Sequence, residues 1–462
     1  MFVSGLPPGL LDLLNVSSGS LAAHQAGLGT VAHNVANAST PGFSRRDLDL
    51  SPLDPLRGVD ALRARRATDN NLLRQIVEQS GRQAFAQARE PWLSEIEAAL
   101  GDLDDTGLGA SLDAMFASFR TLAASPDDPA TRQDTLMRAS DLAAQVRRAA
   151  TDLGDLMDMA DRRIRDELPG INDSLREVAR LNRDIRIAEG SGGDAGDLRD
   201  LRDQALRTLA EKIGARALHD SKDGVIVLVG GIRLVQDDLA EKLVATPDPA
   251  TGRVRVEIAG PPGSDLTGTV GGVLGAHVEV RDGQIPDRLT SLDQLAWDLA
   301  ASINARHAAG FGLDGVSGRN LFAAPAGVAG AAANMTLDAA VLADTDALAT
   351  ALDPAALPGD GRNALEMADL EDQDLALLGT ATLSQALGAL QAEAGQHARD
   401  ATLQGEREAD RTEQLDALRQ SMSGVDVQEQ LLLMGRYQRA YQASAQVLAT
   451  LDEMLETLVN LR

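Results

Sequence analysis

Apolar residues return every seven positions at both ends of the chain. Near the start Leu14, Leu21, Leu28 and Val35 keep that period, with Leu10, Leu11 and Val31 close to the complementary position. Near the end Met434/Tyr437, Tyr441/Ser444, Leu448/Leu451 and Leu455/Leu458 step by three and four. This spacing lays one apolar seam along each helix. The two ends are therefore predicted to be long helices that pair with each other, with neighbouring copies of the chain, or with both.

Between them helical periodicity covers 57–100, 108–123, 129–166, 171–189 and 198–213, with "SPDDPATR" and "ELPGIND" as connections. A β-rich patch follows. "GVIVLVGGIRLVQ" places two apolar runs about a Gly-Gly turn, and "GRVRVEIAG" alternates as a half-buried strand does. "GGVLGAHVEVRDG" reads as turn chemistry beside a strand. A helix over 289–309, an Ala-, Gly- and Pro-rich stretch to residue 361, and helices over 364–370 and 379–422 complete the interior. The expected fold is mainly α with a small β-rich insertion and discontinuous, nested domains. Residues 1–44 and 424–462 form a terminal coiled-coil polymerisation domain, 45–214 and 283–423 a helical body, and 215–282 the insertion.

Charge sharpens this division. The chain has 43 basic and 69 acidic residues, a net charge of -26, which disfavours nucleic acid and anionic membranes as partners. Yet residues 1–44 carry only Asp12 besides two histidines. Gly19, Gly27 and Gly29 each cost this helix about 1 kcal/mol relative to Ala, so it is expected to need cover before it orders. The stretch ends in "NASTPGF", where Asn37, Pro41 and Gly42 mark a hinge between the part that polymerises and the part that folds alone.

Candidate chemistry is sparse. The six histidines never stand at the i, i+4 spacing of a helical zinc site, and no nucleophile elbow or phosphate loop follows a predicted strand. Carboxylate-rich stretches such as "DLEDQDL" read as solvated faces. There is no Cys, which removes disulfides and thiolate sites. Neither a basic secretory n-region nor an apolar run long enough to span a membrane is expected. No catalytic residue, metal site or cofactor is assigned; an enzyme would need a constellation in the insertion, which offers only His219 and His277.

"HNVANASTPGFSRR" resembles the N-terminal signature of the bacterial flagellar axial proteins, the rod and hook family, departing from it at His33, Val35 and Phe43. The ending "SGVDVQEQLLLMGRYQRAYQASAQVLATLDEMLETLVNL" is similar to that family's C-terminal signature. Within the family, "LDAMFASFRTLAASPDDPATRQ", "DLRDLRDQALRTLAEKIG" and "SINARHAAGFGLDGVSGRNLF" resemble segments of the hook-associated protein 1 group, in its order.

The resemblance implies a structural, non-enzymatic protein at the extracellular junction between hook and filament. It would be exported by the flagellar type III apparatus without a cleaved signal. Its implied partners are copies of itself, the hook protein, the second hook-associated protein and an export chaperone on the C-terminal helix. The implied assembly interface is Leu14, Leu21, Leu28, Val35, Met434, Tyr437, Tyr441, Leu448, Leu451, Leu455 and Leu458. Typical members carry an outer surface domain after the segment matching "NLF", and here it is expected to be absent or vestigial. Another axial protein, such as the second junction protein or a hook or rod component, is the alternative.

Overall fold

In a computed structural model the described residues are 8–52, 59–101, 107–191, 194–219, 224–260, 264–376 and 379–460. The fold is mainly α with small antiparallel sheets. Helix α1 (Pro8–Ala36) leads into a hairpin of β1 (Arg46–Pro52) and β2 (Val59–Arg66). Helices α2 (Asn70–Leu100), α3 (Leu108–Ala124), α4 (Pro129–Gly190) and α5 (Gly196–Ile213) follow.

The β-rich segment comprises β3 (Arg216–His219), β4 (Val225–Val229), β5 (Ile232–Gln236), β6 (Leu239–Ala240), β7 (Leu243–Pro247) and β8 (Val254–Ile258). The first four strands form one sheet in the order β3-β4-β5-β6, and β7 pairs with β8. Gly230 and Gly231, at φ +57° and +86°, make the two-residue turn between β4 and β5 that the Gly-Gly pair predicts. Helices α6 (Gly272–Glu279), α7 (Ile285–Ala309), α8 (Ala339–Ala343), α9 (Arg362–Ala368), α10 (Leu383–Ser423) and α11 (Val427–Asn460) complete the chain.

Three local expectations fail, each for a physical reason. Residues 59–66 are not the start of a helix but strand β2, residues 57 and 58 lying outside the described residues, and the helix begins only after Asp69, whose side chain accepts the backbone N–H groups of Asn71 and Leu72. "ELPGIND" is not a connection, because α4 runs unbroken through Pro169. A proline inside a helix costs about 3 kcal/mol. Leu168, Ile171, Leu175 and Val178 continue the buried row begun at Ile164, and their burial outweighs that cost. "GGVLGAHVEVRDG" is helical: α6 passes through a single π-turn at Val280–Gln284 into α7.

Two cores result. One joins α2, α3, the first half of α4, α7, α9 and α10 around Phe116, Phe119 and Phe322. The other packs the second half of α4 with α5 and α6 against the inner faces of the sheets, through Ile171, Leu209, Val227 and Val256. The long helix α4 is common to both. Fully buried Arg132 donates to the backbone carbonyls of Pro126, Thr345, Asp346 and Leu348, and so fastens the irregular segment after α8 to the start of α4.

Candidate functional site

The two ends of the chain meet. Helices α1 and α11 pack antiparallel, with Asn34 against Gln430 at one level and Gly27 against Tyr437 one heptad along. The deepest residues of α1 are Val31 (3% exposed) and Asn34 (1%), with Ser17, Ala23 and Gly27 also buried. The predicted seam residues Leu14, Leu21, Leu28 and Val35 all lie in α1 but only half-buried, flanking that line. On α11, Gln430 and Leu451 are buried, while Met434, Tyr437, Tyr441, Leu448 and Leu455 are half-buried. The side chains of Leu10, Leu11 and Leu458 lie outside the described residues.

The centre of the seam is therefore polar and small rather than leucine-rich. Asn34 Nδ2 donates to Gln430 Oε1 (2.9 Å) and to the Arg46 carbonyl (2.8 Å), and Asn34 Oδ1 accepts the Arg46 N–H (2.9 Å). One amide thus joins α1, α11 and the first residue of β1. The tyrosine ring occupies the space that the missing Cβ of Gly27 leaves open, and His24 lies beside it with ring centroids 6.3 Å apart. Apolar residues outside the seam remain exposed on α11, among them Leu432, Val447 and Met454.

At the expected hinge, Asn37 Nδ2 donates back to the His33 carbonyl (3.0 Å), the Thr40 N–H donates to the Asn37 carbonyl (2.9 Å), and Gly42 adopts φ +82°. Pro41 is exposed. Past this turn the chain is tied down: the Arg45 N–H donates to the Ser423 carbonyl (2.8 Å), so the segment entering the body lies beside the end of α10, where the chain leaves it. Asn34, Gln430 and Arg46 escaped the heptad pattern because they are polar. The available signal was the spacing of Gly27, Val31 and Asn34, which steps by four and three.

Among the described residues the insertion groups no second set of chemistry-bearing side chains. His277 is buried against Trp92, whose indole N–H donates to its Nδ1 (3.1 Å), and burial pushes its pKa down. His219 closes β3. Among the described residues no three His, Asp or Glu side chains are grouped to hold a metal ion, and no helix is long and apolar enough to cross a membrane.

Comparison with known proteins gives a consistent family. Residues 93–322 match the model of the flagellar hook-associated protein FlgK helical domain, 14–43 that of the flagella basal body rod protein, and 419–461 that of the flagellar basal body rod FlgEFG protein C-terminal region. The chain is 25% identical to flagellar hook-associated protein 1 of Salmonella typhimurium, covering 98% of this chain and 100% of that one. With the protein of the same name from Bacillus subtilis the identity is 24%, over 97% of each chain. Among solved structures, the flagellar hook junction protein FlgK of Burkholderia pseudomallei superposes with a TM-score of 0.66 at 16% identity, covering 76% of this chain and all of that one.

Proposed function

We propose that this chain, which belongs to the flagellar hook-associated protein 1 family and is a structural component of the flagellum, forms the junction between hook and filament by assembling through its terminal helices. The observation that carries the reading is the pairing of α1 with α11. It is a two-helix unit with a half-covered seam, further apolar residues exposed on α11, and almost no charge on α1. Residues half-buried in one copy gain cover when copies pack side by side, and each fully buried large side chain contributes about 1.5–3 kcal/mol.

The eleven heptad residues supply that interface, with the turn at Asn37, Pro41 and Gly42 separating it from the body. The hook protein and the second hook-associated protein are the neighbours along the axis. An export chaperone covers the C-terminal helix before assembly, and the chain leaves the cell by the flagellar route. The protein acts by contact and catalyses nothing. The outer surface domain is reduced to the segment 323–336, closed at its base where Ala323 N–H donates to the Thr336 carbonyl and Asp338 N–H to the Leu321 carbonyl, 2.8 Å each. The alignment with the Salmonella relative runs over 561 positions, more than this chain contains, which supports a missing segment.

The test is a strain whose copy ends before Gly424. Electron microscopy should find completed hooks without filaments, and flagellin should accumulate in the medium. Normal filaments in that strain would refute the junction role. Arrest before the hook is finished would favour a rod or hook component instead.

A further inference from the structure

The joint between the terminal helices and the body is built as a lock. Its first half is the base of the β1–β2 hairpin, where Arg46 and Arg66 stand directly opposite each other in the antiparallel register. Its second half is a row of carboxylates three residues apart: Asp194 just before α5, then Asp197, Asp200 and Asp203 along it. The Arg46 guanidinium pairs with Asp194 (2.9 Å) and Asp197, and that of Arg66 with Asp200 (2.7 Å) and Asp203. The Ser44 N–H also donates to Asp200 (3.3 Å), and His33 Nε2 lies 3.1 Å from Asp197.

Each half is unfavourable alone. Like charges directly opposite in a strand pair destabilise it, as do like charges three apart on a helix face. Docking turns both repulsions into attractions. Yet the lock is not saturated: Nε of both arginines is buried without an acceptor, and burial pushes the Asp200 carboxyl's pKa up while Arg66 draws it down. Buried ion pairs with incomplete hydrogen bonding contribute little net stability, because the desolvation of the charges offsets their attraction.

The hairpin's backbone packs on α1, and Arg46 and Arg66 reach across to α5 by their side chains. Beside them a cleft of about 710 Å³, lined by Asp49, Arg65, Thr68 and Asp203 among others, admits solvent and ions to the pairs. Asp194 and Asp197 are 40% and 60% exposed, so this end of the row is open to screening.

We propose that the two arginines and the aspartate row form a charge-screened lock that fixes the angle between the terminal helix pair and the body. Released, the pair and hairpin move together about residues 67–69 and 424–426. The arginines are positioning residues: they act on assembly only through that angle.

Because the chain has no native Cys, two introduced cysteines can carry spin labels. With Ala443→Cys on α11 and Met159→Cys on α4, the distance distribution measured by pulsed dipolar spectroscopy should be single and narrow at low salt. Arg46→Gln/Arg66→Gln should at least double its width with helical content unchanged. Arg46→Lys/Arg66→Lys, which keeps both positive charges opposite the aspartate row, should stay narrower than the glutamine pair, which a loss of packing alone would not explain. Raising NaCl to 1 M, where the screening length falls to about 3 Å, should broaden the distribution of the unsubstituted pair of positions. Equal widths in the labelled parent and the double glutamine variant would overturn the lock, and indifference to salt would overturn its screening. Should the double variant unfold, Arg66→Gln alone and the salt series make the same two decisions.

Discussion

A Cβ on Gly27 would lie 2.6 Å from the nearest ring atom of Tyr437, so the tyrosine of one terminal helix is seated on the bare backbone of the other. Glycine inside a helix costs about 1 kcal/mol relative to Ala, and here that cost is offset by the ring's closer approach. Gly27→Ala should therefore destabilise the α1–α11 pair by about 1 kcal/mol in the parent chain, although alanine is the better helix former. In a Tyr437→Ala background the same change should stabilise by about 1 kcal/mol. A double-mutant cycle read by denaturant unfolding or by hydrogen exchange of α1 amides decides it, and identical effects in the two backgrounds would count against the contact.

Asn34 makes three hydrogen bonds at the join of α1, α11 and β1. Asn34→Leu would leave the Gln430 side chain and both backbone groups of Arg46 without their partner. Each buried group stranded in this way costs about 1–3 kcal/mol, so a loss of roughly 3 kcal/mol is expected. Amide exchange in α1 and in the first turns of α11 should accelerate together, while the body's melting is unmoved. Protection lost in α1 alone would mean that Asn34 does not couple the two helices.

The body should weaken in mild acid. His277 accepts the Trp92 indole N–H, and His307 accepts the Ala349 N–H at Nε2 (3.0 Å) while facing the Arg319 carbonyl at Nδ1 (2.7 Å). Both are held neutral, and burial pushes both pKa values below 6.5. Around His277 the charged groups are Glu167 and Arg163 of α4; around His307 they are Arg319, Asp338 and Arg132. The unfolded chain takes up protons near pH 6.5 that the folded chain refuses. Stability is thus complete above that pH and falls as pH drops below it, by about 1.4 kcal/mol per pH unit for each histidine that stays neutral. Burial raises the carboxyls of Asp200 and Asp298, which works in the opposite sense, so the clean readout is a difference. His277→Gln, which can still accept from the indole, should remove about half of the slope between pH 6.5 and 5.5 measured by Trp fluorescence in denaturant. An unchanged slope would exclude His277 as a source.

Arg132 is 0% exposed and satisfies four backbone carbonyls. Arg132→Leu should cost roughly 3–5 kcal/mol, because those carbonyls lose their donors in a dry interior. Calorimetry of the purified chain should show the body's transition fall while the helices α1 and α11 keep their exchange behaviour. A shift of under a degree would mean that water replaces the guanidinium.

The segment 323–336 is anchored at its base and by Asp293, which accepts the N–H groups of Gly330 (2.7 Å) and Ala332 (2.9 Å). Its exposed position Ala326, between half-buried Pro325 and Gly327, is outside those anchors. A small folded domain inserted after Ala326 should leave the body's unfolding free energy within about 1 kcal/mol, since loop length costs little once the ends are fixed. A larger loss would show that the tip itself is packed.

Much of the fold was legible because its signals are local. The heptads of Leu14–Val35 and Met434–Leu458 specify two long helices, the Gly230-Gly231 pair specifies a hairpin, and the alternation at Val254–Ile258 specifies a strand. The misses are places where distant packing overrules a local rule. Pro169 reads as a break until Ile164, Leu168, Ile171 and Leu175 are seen to pack on one core. The N-terminal part of 57–100 reads as helix until β2 is seen to pair with β1 and lie along α1.

What the sequence determined by itself is that both ends are uninterrupted amphipathic helices and that the first is nearly free of charge, since periodicity and charge need no partner to be read. What only the tertiary structure decided is which residues lie at the centre of their pairing and how the pair is held to the body. Heptad reading selects leucines, but a helix seated against Tyr437 and Gln430 buries Gly27 and Asn34 instead, because close backbone approach and a satisfied amide are properties of two surfaces together. The same holds for Arg46 and Arg66: in the chain they are two charges 20 positions apart, and only the hairpin register sets them opposite each other and in front of four carboxylates.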